Sequence, residues 1–195
     1  MALDKNISDR WHSSEMLLLG GSAGSFKLIF KIVKFLRADL KKTVVIIMHR
    51  KRNFESGIER LFSQNSGMKL KEINDKDPIQ TGHIYIAPAN YHVLLENDGH
   101  FGLDVSEAIW FSKPSIDITF ESAAEVYGDK CTAILLSGAN QDGAAGLLKL
   151  RNAGSMTIAQ DPEDAELPEM PREAINLNAA TYVLRTAEIV ELLRS

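Results

Sequence analysis

The sequence predicts an α/β protein of three layers, α/β/α, around a mostly parallel, doubly wound sheet with a small antiparallel hairpin excursion. Short uninterrupted apolar runs, read as strands buried on both faces, alternate with segments of helical periodicity. These runs end in glycine or polar residues, at the edge where such sheets present their ligands. The middle of the chain differs, being cut into short pieces by Pro88-Ala-Asn90 and Asn97-Asp-Gly99.

The first strand is Met16-Leu-Leu-Leu19, stopped by Gly20-Gly21. Phe26, Ile29, Phe30, Val33, Leu36 and Leu40 then recur at helical spacing, which predicts an amphipathic helix over about residues 27–40. Thr43 to Met48 is the second strand, and a right-handed parallel crossover is the default for such a unit. Phe54 to Phe62 reads as another helix. His83-Ile-Tyr-Ile-Ala87, Tyr91 to Leu95 and His100 to Leu103 read together as the antiparallel excursion. After Pro114 the alternation returns: helices over 115–127, 144–153, 171–177 and 186–193, with strands at 132–136, 155–159 and 181–184. Residues 1–14 read as a polar N-terminal tail and 15–195 as one domain, with no repeat or long linker.

A chain of 195 residues with 45% hydrophobic content is long enough to build a core without staples, and its single cysteine forms no internal disulfide. Cys131, beside the apolar run 132–136, reads as a core thiol. Twenty-two Lys and Arg against 26 Asp and Glu give a net charge of −4, which argues against a nucleic-acid partner. No apolar run approaches the ~20 residues of a membrane helix, and residues 1–15 lack a signal peptide's apolar stretch. A soluble, cytoplasmic protein without membrane insertion is expected.

Three strand ends supply chemistry to one rim. Gly20-Gly-Ser-Ala-Gly24 fits G-x-S-x-G, the strand-to-helix elbow that exposes a serine hydroxyl, so Ser22 is the candidate nucleophile. The second strand runs into His49, the candidate general base. The loop Ser137-Gly-Ala-Asn-Gln-Asp142-Gly143 delivers Asp142, which could orient the imidazole. Hydroxyl, imidazole and carboxylate together are what acyl transfer needs, because a serine is a poor nucleophile until an oriented base takes its proton. The order Ser, His, Asp differs from that of α/β-hydrolases, so the elbow does not imply that fold.

The main rival is a phosphate cradle: a Gly-rich turn after a first strand, with Arg50-Lys-Arg52 placed to meet an NADP 2′-phosphate. Against it, the turn matches neither G-x-G-x-x-G nor a P-loop. A third reading is a non-catalytic sensory docking module. Taken singly, His49 would be a structural histidine and Asp142 a helix cap. His12, His83, His92 and His100 lie on the tail or among the hairpin strands without Cys partners, so no metal site is assigned. Glu163, Asp164, Glu166 and Glu169 read as a solvated acidic loop.

From Met16 to Leu193 the sequence resembles the catalytic domain of the chemotaxis receptor methylesterase family, CheB. The resemblance rests on Gly20-Gly-Ser-Ala-Gly24, Met48-His49, Gly82-His-Ile-Tyr-Ile-Ala-Pro88, Lys113-Pro-Ser-Ile-Asp117, Ser137 to Gly146, and Met170-Pro-Arg-Glu-Ala174. It implies a carboxylic ester hydrolase that cleaves glutamyl methyl esters on receptor signalling helices, often also deamidating particular glutamines. It carries a triad onto Ser22, His49 and Asp142 and implies no cofactor. The family usually has Thr, Gln and Met-Gly where this chain has Ala23, Met48 and Ala139-Asn140. Backbone N–H groups at Ala23 and Ala139 can still serve an oxyanion site. Family proteins usually carry an N-terminal receiver domain, and only about 15 residues precede the first strand here. Regulation by a separate receiver or partner protein is therefore one expectation, and origin from a larger fusion the other.

Overall fold

The structure is a computed structural model that describes residues 5–50 and 57–195. In chain order the elements are α1 (Lys5–Ser13), β1 (Met16–Gly21), α2 (Phe26–Phe35), β2 (Thr43–Met48), α3 (Ile58–Ser63), β3 (Lys69–Glu72), β4 (His83–Ile86), β5 (His92–Leu95), β6 (Phe101–Asp104), α4 (Ile116–Tyr127), β7 (Cys131–Leu135), α5 (Ala144–Asn152), β8 (Met156–Gln160), α6 (Glu169–Asn176), β9 (Tyr182–Leu184) and α7 (Thr186–Arg194). Seven strands form one sheet in the order β3-β4-β2-β1-β7-β8-β9, and every pairing in it is parallel. The four central strands are buried at every position, which is why their sequences are mostly apolar.

Alternate residues of each strand feed opposite layers. Leu17 and Leu19 pack with Ile29, Ile32 and Val33 of α2 and Ile189 of α7. Met16 and Leu18 pack on the other side with Phe120 of α4 and Leu147 of α5. Sitting between these two cores, the sheet is the middle of three layers, as expected. Cys131 is fully buried at the start of β7, and burial pushes its thiol pKa up to about 12, so it is an inert core group. From β1 the chain crosses to β2 on one side, whereas β7 lies on β1's other side. Such a reversal opens a crevice at the carboxyl ends of adjoining strands.

Four local expectations are corrected. β4 is not part of the hairpin: it lies in the main sheet, parallel to both β2 and β3, and only β5 and β6 form the antiparallel pair. β3, which no apolar run announces, is an edge strand whose residues are exposed or half-buried. The N-terminal polar stretch contains a helix, α1, that buries Ile7 and Trp11. The helix expected to reach Leu40 ends at Phe35, because Leu36 turns to an extended ψ of 128°, yet Leu36 remains buried and Leu40 packs on the same core. The predicted start of the next helix, 54–56, lies outside the described residues.

Candidate active site

All three predicted strand-end groups stand at the same edge of the sheet. Ser22 directly follows β1. Its N–H donates to the Ser137 carbonyl at 2.9 Å, and its own carbonyl accepts from Ser25 Oγ at 2.7 Å, so the elbow is tied to both the β7 loop and α2. Gly24 has a φ of +84°, and a Cβ there would lie 2.5 Å from Ser137 Oγ. Gly138, on the loop after β7, sits against Ser22: a Cβ on it would come within 3.1 Å of the serine Cβ.

His49 follows β2, and its backbone N–H donates to the Gly21 carbonyl at 3.3 Å. The imidazole and the Asp142 carboxylate meet, Nε2 to Oδ2, at 2.7 Å. Donation from Nε2 leaves Nδ1 as the basic nitrogen of a neutral ring. Ser22 Oγ makes no hydrogen bond to it among the described residues.

Asp142 is fully buried and accepts from three further donors: Ser115 Oγ at 2.8 Å, Ile116 N at 2.8 Å and Asp117 N at 3.0 Å. Two of these are the first N–H groups of α4, where the helix dipole favours an anion. Burial alone would raise the Asp142 pKa, but the bonds from His49 and from the Asp117 and Ile116 N–H groups outweigh it and hold the pKa below the usual carboxylate value. The neighbouring carboxyl of Asp117 behaves oppositely. Burial, and secondarily the charge of Asp142, push its pKa up to about 7 against the opposing hydrogen bond from the Gly146 N–H.

Two buried groups behind the carboxylate escaped the sequence reading. Ser115, the N-cap of α4, holds one Asp142 oxygen, although its only sequence signal was its place in Lys113-Pro-Ser-Ile-Asp117. His92, expected to be an ordinary hairpin residue, is fully buried. Its Nδ1 accepts from Ser115 N at 3.0 Å, and its Nε2 donates to the Glu107 carbonyl at 2.9 Å.

Ala23 and Ala139 are both exposed at the rim, and neither N–H donates to a backbone carbonyl among the described residues. Asn140 accepts from Asp142 N at 3.2 Å and donates through Nδ2 to the Trp110 carbonyl at 3.4 Å. Arg50 departs from expectation. Its side chain is largely buried, ion-paired with Glu72 and bonded to the Ala87 carbonyl at 3.4 Å. The guanidinium is committed to β3 and the end of β4 rather than presented to a phosphate, while Lys51 and Arg52 lie outside the described residues. The acidic residues Glu163, Asp164, Glu166 and Glu169 are all exposed, and Asp164 also accepts from Thr186 N at 2.6 Å at the start of α7. The described residues contain no group of three or more His, Cys, Asp and Glu side chains placed to hold a metal, and no helix long and apolar enough to cross a membrane.

A profile described as CheB methylesterase matches residues 17–193. The chain belongs to the CheB methylesterase family. Its sequence is 39% identical over 178 residues to a Leptospira interrogans protein that carries the names protein-glutamate methylesterase and protein-glutamine glutaminase in provisional form, covering 91% of this chain and 92% of that one. It is 31% identical to the Symbiobacterium thermophilum protein-glutamate methylesterase/protein-glutamine glutaminase, with 90% of this chain and 49% of that one covered. The crystal structure of the Thermotoga maritima CheB methylesterase catalytic domain superposes with a TM-score of 0.86 at 30% identity, covering 93% of this chain and 98% of that one. The seven-stranded sheet with its small antiparallel pair is thus a fold that matches that of the CheB catalytic domain.

Proposed function

We propose that this chain hydrolyses glutamyl methyl esters on the cytoplasmic helices of chemotaxis-type receptors, and deamidates particular glutamines there, through Ser22, His49 and Asp142. The observation that carries the reading is the 2.7 Å contact between His49 Nε2 and a fully buried carboxylate, at the strand rim that also bears the serine elbow. A carboxylate anchored this firmly fixes both the ring and its tautomer.

In this mechanism Ser22 Oγ attacks the ester carbonyl carbon while His49 Nδ1 takes the hydroxyl proton. The Ser22 to His49 contact closes as substrate enters, as catalytic hydrogen bonds often do. The Ala23 and Ala139 N–H groups stabilise the oxyanion, and both remain available because neither is spent on the backbone ladder. Collapse of the tetrahedral species breaks the bond to the methoxy oxygen, which leaves as methanol with the proton from His49. Water, deprotonated by the same imidazole, then attacks the acyl-serine and releases the glutamate carboxylate and free Ser22. With a glutamine substrate the leaving group is ammonia. The chemistry calls on no cofactor.

The test is to treat the protein with a fluorophosphonate and locate the adduct by mass spectrometry. Labelling at Ser22, abolished in His49→Ala, is the expected result. Saturable NADP binding without serine labelling would overturn it.

A further inference from the structure

The segment between β6 and α4 carries two aromatic side chains out of the protein. Trp110 is 47% exposed and Phe111 fully so, with Val105 exposed nearby in sequence. Both aromatics have left-handed backbone, at φ values of 49° and 60°, a region that bulky residues rarely adopt. Neither solvation nor local backbone preference explains such an arrangement, and exposed apolar groups held against both are a mark of recognition.

The loop is also braced. Lys113, buried beneath it, donates to the Val105 carbonyl at 2.9 Å and to that of Ser106. Buried His92 holds the Glu107 carbonyl at 2.9 Å, and Ser112 N closes the tip onto Ile109 O at 2.8 Å. At the tip itself, Asn140 of the Asp142 loop donates to the Trp110 carbonyl at 3.4 Å. Four residues beyond Phe111, Ser115 grips Asp142. The aromatic tip is thus continuous with the catalytic rim.

Resting on the ester-hydrolase reading above, we infer that Trp110 and Phe111 form the docking surface for the polypeptide helix that carries the esterified glutamate. A glutamyl side chain is too short to keep its own backbone clear of the rim once its ester carbon reaches Ser22. The backbone and the neighbouring turns of the substrate helix must therefore lie on the surface flanking the crevice. Exposed aromatics on a pre-ordered loop are the residues best suited to grip such a helix through its apolar side chains. A lipid surface fits less well, because Lys113 is the one cation between Val105 and Lys113 and it is spent on carbonyls beneath the loop.

The test uses Trp110→Asn, Phe111→Asn and the double variant, since asparagine tolerates left-handed backbone and leaves the turn intact. Two measurements are made on each variant of the 195-residue chain: kcat/KM for p-nitrophenyl acetate, and the Kd of a receptor-derived helical peptide with glutamine at the modification site. A roughly tenfold or greater weakening of peptide binding in the double variant, with small-ester hydrolysis unchanged, is expected. Peptide binding equal to wild type, or a parallel loss of small-ester hydrolysis, overturns the assignment. So does a change in sedimentation coefficient, which would give the surface to a second copy of the chain, or loss of binding to phosphatidylglycerol vesicles with peptide binding intact. Wild-type protein that binds the peptide but hydrolyses no ester would instead sink the hydrolase reading and leave the docking surface standing.

Discussion

The two ends of the sheet each bury a charge, and they treat it in opposite ways. At the carboxyl end Asp142 is surrounded by donors from an imidazole, a hydroxyl and two helix N–H groups, and it is held ionised. At the amino end Lys42, just before β2, points its ammonium at the carbonyls of Trp11, at 2.7 Å, and Ser14, with the Trp11 ring 4.5 Å away. Burial lowers the Lys42 pKa to about 8, only partly opposed by the charge of Glu15. At Asp142 the imidazole and N–H bonds outweigh burial, whereas at Lys42 burial prevails although several oxygens surround the ammonium. One end holds a charge in fixed geometry, as chemistry requires, and the other uses the hydrogen bonds of a buried amine to fasten α1 to the body. Substitutions at the first should change rate, and at the second stability.

The largest effect is expected at Ser22. Ser22→Ala should lower turnover of a glutamyl methyl ester by about 10⁶, as in a serine protease, with an unchanged melting temperature. His49→Ala should match it. Methanol release at the wild-type rate from folded Ser22→Ala protein would remove the carboxyl end from the chemistry altogether.

Asp142→Asn should cost about 10⁴ in kcat, because an amide no longer enforces the Nε2–H tautomer. Most activity surviving in this variant would make Asp142 an α4 capping group and erase the contrast with Lys42.

Lys42→Met tests the other end. It removes the Lys42 donor from the Ser14 and Trp11 carbonyls, the latter keeping its bonds from Ser14, and the expected loss is about 1–3 kcal/mol by urea denaturation at pH 7, with kcat unchanged. The pH dependence follows from the lowered pKa: above about 8 the folded protein sheds a proton that the unfolded chain keeps to about 10.5. Wild type should therefore gain stability relative to Lys42→Met as pH rises through that window. A fall in kcat with stability intact would show that the two ends are not separable.

The smallest and sharpest change is Asp117→Asn. With its pKa raised to about 7, this carboxyl stays protonated in the folded protein at pH values where the unfolded chain has already released the proton. Its contribution is thus most favourable below about pH 4 and is lost as pH rises to 7. The asparagine variant should melt a few °C higher than wild type at pH 8 and no higher at pH 4. An unchanged difference between the two pH values would show that folding does not raise the Asp117 pKa.

The parts of this molecule that were legible in its sequence are those written in local pattern. β1, β2, β7 and β8 were visible because a strand buried on both faces is predominantly apolar, with only Thr43, Thr132, Thr157 and Gln160 interrupting the runs. Ser22, His49 and Asp142 were legible as a candidate set because a parallel sheet delivers successive strand ends to one rim. Edge strand β3 was invisible because an exposed edge needs no apolar run, and the direction of β4 was misread because four residues pair equally well either way.

By itself, then, the sequence determined the three layers, the glycine elbow and the family, since burial and backbone strain at those positions admit few residue types. Tertiary structure alone decided which imidazole nitrogen meets Asp142, that Ser115 and His92 stand behind it, that Arg50 turns toward Glu72, and that Trp11 is buried beside Lys42. Each of these depends on a partner between 22 and 93 residues away in the chain, and a side chain's hydrogen bonds are set by whatever group the fold brings within reach, which no local periodicity encodes.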